Sequence, residues 1–233
     1  MNTYFRFKQF QINQSQCSMK VTETACIQGA WTPIPENAQL ILDIGSGTGL
    51  LSLMMAQRSQ AQIEAIEIDA AACSQAMENC LASPFANRIQ LHNTDFLEYS
   101  SPQKFDVIIC NPPFFEGQLA SPDEIKNIAW HSSKLNLQSL IKKAASLISE
   151  HGSLSILLPY ARKNEIEIIA NSCRLYPKHY LFLRHSVQHD IRFLVGIFTK
   201  HIAGIITETL SIREGNNYTS TMQELIADFY LKC

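Results

Sequence analysis

The chain has 233 residues, 46% of them apolar and 17% charged, with a net charge of −2. This composition suits one globular domain with extensions and carries no global signature of nucleic-acid binding, which takes a basic surplus; a local basic patch stays open. No apolar run reaches the roughly 18–20 residues of a membrane span, the first residues lack a signal-peptide core, and seven scattered cysteines without a CxxC read as reduced thiols of a cytoplasmic protein rather than a zinc or disulfide framework.

Residues 1–38 differ in pattern from the rest of the chain. YFRFKQFQI partly alternates apolar and polar residues, as an edge strand or hairpin arm does. This stretch is read as a strand-like extension that ends at the rigid polar boundary PIPEN (33–37). The main domain is expected over 39–200, with a C-terminal extension over 201–233.

From residue 40 the pattern alternates. LILDIG (40–45) reads as a strand and TGLLSLMMAQRS (48–59) as a helix. AQIEAIEID (61–69) is a second strand and AAACSQAMENCLAS (70–83) a second helix. RIQLHNTD (88–95) and FDVIICN (105–111) are the third and fourth strands. A long helix is expected over 135–152, with Gly152 as its C-cap. SLSILLP (153–159) is a fifth strand, followed by a helix over 164–173. HYLFLRH (179–185) and IRFLVGIFTK (191–200) have no helical pattern between them, which predicts an antiparallel pair. A terminal helix is expected over 220–231.

Strands alternating with helices predict an α/β fold: a mostly parallel sheet of seven strands, helices on both faces, and an antiparallel C-terminal hairpin. Ligands of such sheets bind beyond the carboxyl ends of the strands. DIGSGTG, EID, NTDF and NPPFF all fall at that edge.

Each of these segments has a chemical reading. Gly45, Gly47 and Gly49 lie between the first strand and helix with GxGxG spacing. Glycines permit positive φ and close approach to a ligand. Leu50 occupies the last position of the dinucleotide fingerprint, and GK[ST] is absent, so neither that fingerprint nor a P-loop fits. Asp43, near the end of a buried strand, needs partners. It can orient the loop and receive an ammonium. Glu67 ends the second strand, where an acid suits two ribose hydroxyls. Asp69 competes for that role but is better read as a helix N-cap. Ile68 joins the candidate cofactor site. Asp95 ends the third strand and can accept from an adenine amino group, with Phe96 packing nearby. The histidines His185, His189 and His201 have no metal-like spacing with acids and are read as surface or strand-end residues; no metal is expected.

Together the elements and acids resemble the class I methyltransferases along residues 40–200. The resemblance implies S-adenosyl-L-methionine as cofactor, its ammonium near Asp43, its ribose on Glu67 and its adenine by Asp95. In that family [DNS]PP[YFW] after the fourth strand marks methylation of planar nitrogens, and Asn111-Pro112-Pro113-Phe114 matches it. The residue types suit the chemistry. An exocyclic amine delocalises its lone pair and is a poor nucleophile. The Asn111 side-chain oxygen and the Pro112 carbonyl can accept its two N–H groups, and rigid prolines hold both acceptors in advance. Phe114 can stack on a base, worth roughly 1–3 kcal/mol. Phe115 is open between a second pocket wall and simple packing.

The flanks narrow the substrate. FRFKQFQINQSQCSMKV, GAW, NPPFFEGQ and ADFYL resemble the bacterial tRNA adenine-N6 methyltransferases, which modify adenine 37 of a valine tRNA. That resemblance implies a tRNA partner; oligomeric state stays open, with a monomer as the default. There are departures. Where the family reads MKVGTDG this chain reads MKVTETA (19–25), with Thr22 and Thr24 in place of glycine and aspartate. Where the family carries an arginine after Ala129, this chain has Trp130. Candidate phosphate contacts are Lys8, Lys20, Lys126, Lys134, Arg162 and Lys163, each read more readily as a solvated surface. Alternatives are a guanine-N2 methyltransferase of ribosomal RNA, a release-factor glutamine methyltransferase, and a catalytically silent RNA-binding module.

Overall fold

A computed structural model describes residues 3–17, 19–112 and 136–231. The chain opens with a hairpin, β1 (Tyr4–Arg6) and β2 (Gln11–Asn13), and a helix, α1 (Glu23–Trp31). Then come β3 (Leu40–Ile44), α2 (Leu50–Arg58), β4 (Gln62–Glu67), α3 (Ala70–Leu81), β5 (Ile89–Asn93) and β6 (Phe105–Cys110). After these lie α4 (Leu137–Leu147), β7 (Ile148–Pro159), α5 (Lys163–Ser172), β8 (Tyr176–Arg184), β9 (Phe193–Thr199) and β10 (Ile206–Ser211). A two-stranded ribbon, β11 (Arg213–Glu214) and β12 (Asn217–Tyr218), leads into α6 (Ser220–Ile226).

The main sheet runs β10-β8-β9-β7-β6-β3-β4-β5. β3 to β7 pair in parallel, and β9 pairs antiparallel with both β7 and β8. The expected α/β sheet with its antiparallel β8–β9 pair is therefore present, with one strand more than the seven anticipated. β10 joins β8 in parallel at the edge.

Strand pleating divides the core. Along β3, Ile41 packs with the hairpin, α1, α2, α3 and α6 on one face. Leu40, Leu42 and Ile44 pack with α4 and α5 on the other. Five of the six described cysteines fill buried positions.

Three expectations are corrected. The 1–38 segment is not strand-like throughout. Thr22 accepts from the Ala25 N–H and caps α1, whose residues Ala25 to Ala30 are all buried. The helix expected to reach Gly152 ends at Leu147, and β7 begins at once. The β6–β7 register jumps there, from Phe105↔Ile148 to Val107↔Ser153. Gly152 serves that bulge rather than a helix cap, because a Cβ on it would lie 2.6 Å from the Phe105 carbonyl oxygen. The terminal helix stops at Ile226, and Tyr230 instead bridges back to Phe7 of the N-terminal hairpin.

Candidate active site

The parallel strands bring four segments to one edge. The first is the turn between β3 and α2. Gly45, Gly47 and Gly49 adopt φ of +70°, +53° and +79°. These are left-handed conformations that glycine takes without strain. The Gly45 and Ser46 N–H groups donate to the Ile66 carbonyl at 2.9 and 3.0 Å, which ties the turn to β4. A Cβ on Gly45 or Gly47 would meet nothing within 4 Å, so that face of the turn is open.

Asp43 points to the α2 side of β3 and is fully buried. Its Oδ2 accepts from the Ser52 N–H at 3.0 Å and the Ser52 hydroxyl at 2.6 Å. Its Oδ1 has no partner among the described residues. Burial outweighs the Ser52 bonds and, with the Glu67 charge, pushes the carboxyl up to about 7. At the end of β4, Glu67 accepts from the Gly47 N–H at 2.8 Å and the Asp69 N–H at 2.9 Å. A carboxylate offers about four lone-pair sites, so acceptor capacity is left on both oxygens. Asp69 caps α3 by accepting from Ala72 N–H at 2.8 Å. Ile68 beside them is 41% exposed, unusual for a residue directly after a buried strand. Asp95 Oδ1 accepts from the Leu97 N–H at 2.8 Å, and Phe96 is buried in the core.

The fourth segment comes directly after β6. Asn111 and Pro112 are half-buried. The Asn111 amide nitrogen donates to Met19 Sδ at 3.6 Å. Its Oδ1 is buried and has no partner among the described residues. Pro113, Phe114, Phe115, Lys126, Trp130 and Lys134 lie outside the described residues.

The methyltransferase small domain family matches residues 32–168. A tRNA1(Val) (adenine(37)-N6)-methyltransferase of Bacteroides thetaiotaomicron is 38% identical, over 99% of this chain and 98% of its own. A protein of the same name from Dyadobacter fermentans is 40% identical, over 99% and 98%. The chain belongs to this methyltransferase family. It is an S-adenosylmethionine-dependent methyltransferase. Among solved structures, a predicted O-methyltransferase of Agrobacterium tumefaciens superposes with a TM-score of 0.67 at 19% identity, over 88% of this chain and 95% of that one. A ribosomal protein L11 methylase of Lactobacillus delbrueckii gives 0.58 at 20% identity, over 82% and 84%. At those identities the likeness speaks for the fold.

The family's cofactor fits the edge on structural grounds. An open left-handed turn, a buried carboxylate with one oxygen unpartnered among the described residues and a strand-end acid with spare acceptor sites are what an ammonium-bearing nucleoside needs. Among the described residues no cluster of three His, Cys, Asp or Glu side chains suits a metal. None of the described helices is long and apolar enough to cross a membrane.

In this methyltransferase the sequence motifs leave out a supporting layer of residues. Burial, with the Glu67 and Asp69 charges, pushes the Cys17 thiol up to about 12. Asn79 of α3 clamps the hairpin, accepting from Asn13 N–H and donating to its carbonyl, both at 2.9 Å, and also donates to the Thr48 carbonyl at 2.9 Å. Gln28 of α1, fully buried, donates to the Cys110 carbonyl at 2.9 Å, one residue before Asn111. A lone amide in the apolar run ACIQGA was the available signal for Gln28. Of the candidate phosphate contacts, Lys8 donates to Ala227 O, Arg162 pairs with Glu165 and Lys163 with Glu167. Lys20 is half-buried.

Proposed function

We propose that this enzyme transfers a methyl group to N6 of adenine 37 in a tRNA, a valine tRNA by the names of its relatives, acting as a monomer in the cytoplasm. The catalytic domain spans 39–200 on this reading, with 1–38 and 201–233 completing the site. The observation that carries the proposal is the buried Asn111 Oδ1, without a partner among the described residues, beside Pro112 and at the same edge as the glycine turn and Glu67.

The cofactor-holding residues are Asp43, Gly45, Gly47, Gly49, Glu67, Ile68, Asp95 and Phe96. Asp43 holds the turn through Ser52, and its charge favours a cationic ligand. Glu67 presents its remaining lone pairs to ribose hydroxyls, and Ile68 supplies apolar surface for the nucleobase. Asp95 accepts from the amino group, while Phe96 anchors that loop from the core. When bound, S-adenosylmethionine supplies a sulfonium methyl as the electrophile.

On the substrate side, Asn111 Oδ1 and the Pro112 carbonyl accept the two N–H groups of the target amine. This draws the nitrogen out of conjugation and directs its lone pair at the methyl carbon. The nitrogen turns acidic as it gains positive charge, so a proton leaves without a dedicated strong base. Pro113 and Phe114 are assigned from the motif alone, as rigid support and stacking surface. Adenine 37 lies in a single-stranded loop, where extruding a base costs less than from a duplex.

The test is methyl transfer from labelled cofactor to tRNA lacking its modification. Wild type should label adenine 37, and Asn111→Ala should lose on the order of 10²-fold in kcat. Label on ribosomal guanine or on a release-factor glutamine would replace the substrate. Cofactor binding without transfer to any RNA or protein would leave a silent binding module.

A further inference from the structure

The proposed reaction needs one orientation of the Asn111 amide. Its oxygen must face the substrate amine, because an N–H there would meet another donor. The two ends of an amide are nearly the same size, so packing alone does not choose between them. Met19 does. A thioether can accept a hydrogen bond but cannot donate one. The end of the amide that faces Met19 Sδ is therefore the nitrogen, 3.6 Å away, and Oδ1 is left without a partner among the described residues.

The backbone beneath Asn111 is held from the same stretch of chain. Gln28 Nε2 reaches the Cys110 carbonyl at 2.9 Å. The next turn of α1 is fixed to β7 by Thr32, whose hydroxyl donates to Gln28 O and lies 2.7 Å from Ser155 Oγ. Upstream, Asn79 grips Asn13, and Gln14 accepts from the Val21 N–H at 2.9 Å. The segment carrying Met19 is thus tied at both ends.

We infer that Met19 and Gln28 are positioning residues for methyl transfer. Met19 selects the rotamer of the Asn111 amide, and Gln28 fixes the strand end that carries it. This rests on the proposed amine chemistry at Asn111.

Met19→Leu keeps the volume and removes the acceptor. It should lower kcat about fivefold to tenfold, as expected for an acceptor presented only part of the time, with cofactor Kd within about twofold of wild type and Tm nearly unchanged. In ¹⁵N spectra, the Asn111 side-chain amide, assigned by its loss in Asn111→Ala, should shift in Met19→Leu. Gln28→Glu supplies a donor only while protonated. Its kcat should approach wild type at low pH and fall as pH rises, whereas Gln28→Leu stays low throughout. An unshifted Asn111 amide in Met19→Leu overturns the inference whatever the substrate is. So does a wild-type kcat in Met19→Leu when Asn111→Ala is inactive. Wild-type enzyme that methylates no amine while the amide still shifts overturns the proposed function and the catalytic sense of the positioning, but not the contact.

Discussion

Asp43 is held between two opposing effects. Burial favours its neutral form; the two Ser52 bonds favour the carboxylate, and burial prevails, giving about 7 against an ordinary 3.8. Between pH 4 and 7 the folded protein therefore holds a proton that the unfolded chain has released, so Asp43 contributes less stability as pH rises through that window. A cationic ligand reverses the preference, favours the carboxylate and expels the proton. Cofactor affinity should accordingly tighten about tenfold from pH 6 to pH 8, with proton release on binding near pH 6. Calorimetry in buffers of different ionisation enthalpy measures both. Asp43→Asn should abolish this part of the dependence. An affinity equally pH-dependent in Asp43→Asn would assign the titration to the ligand's own amine.

Among elements, α3 does more than cover the sheet. Asn79 joins the hairpin to the glycine turn through three bonds. Asn79→Ala strands part-buried Asn13 and buried Thr48 backbone groups, a loss of about 1–3 kcal/mol. Tm should drop, and cofactor affinity should fall with it because the Thr48 side of the turn loosens. A lower Tm with wild-type affinity would confine Asn79 to the hairpin. Elements of this kind separate what the sequence reveals from what it hides. The strand-end acids and the glycine turn are legible because each lies within a few residues of the pattern that defines it. The α1 helix is hidden because ETACIQGAW combines glycine, cysteine and β-branched residues of low helix propensity. It is helical because Thr22 caps it and because its residues 25–30 are buried against neighbouring elements. β10 is hidden for the opposite reason: it is an edge strand in which only Leu210 is buried, so no apolar run announces it. The Met19–Asn111 contact spans 92 positions and leaves no local trace.

Across the whole molecule, the N-terminal hairpin and the C-terminal tail meet. Tyr230 bridges to Phe7, and the Lys8 N–H donates to the Phe229 carbonyl at 2.7 Å. Phe5 and Phe7 pack their rings 5.5 and 5.8 Å from Tyr230. Gln57 of α2 donates to the Asp228 carbonyl at 2.8 Å, fastening the same tail to the core. The hairpin so held runs on through Asn13 to Met19 and the Asn111 amide. Loosening the C-terminal tail should therefore reach the reaction through the N-terminus. Tyr230→Ala removes a buried ring, at a cost of about 3 kcal/mol. Amide exchange should speed up first at residues 4–13, while β3, β4 and β6 keep their protection. If the hairpin transmits the change, kcat should fall more than cofactor affinity, because the glycine turn is also anchored to Ile66. Uniformly faster exchange across the sheet, with kcat and affinity falling together, would mean that Tyr230 supports global stability and that the two flanks are joined without being coupled to the site.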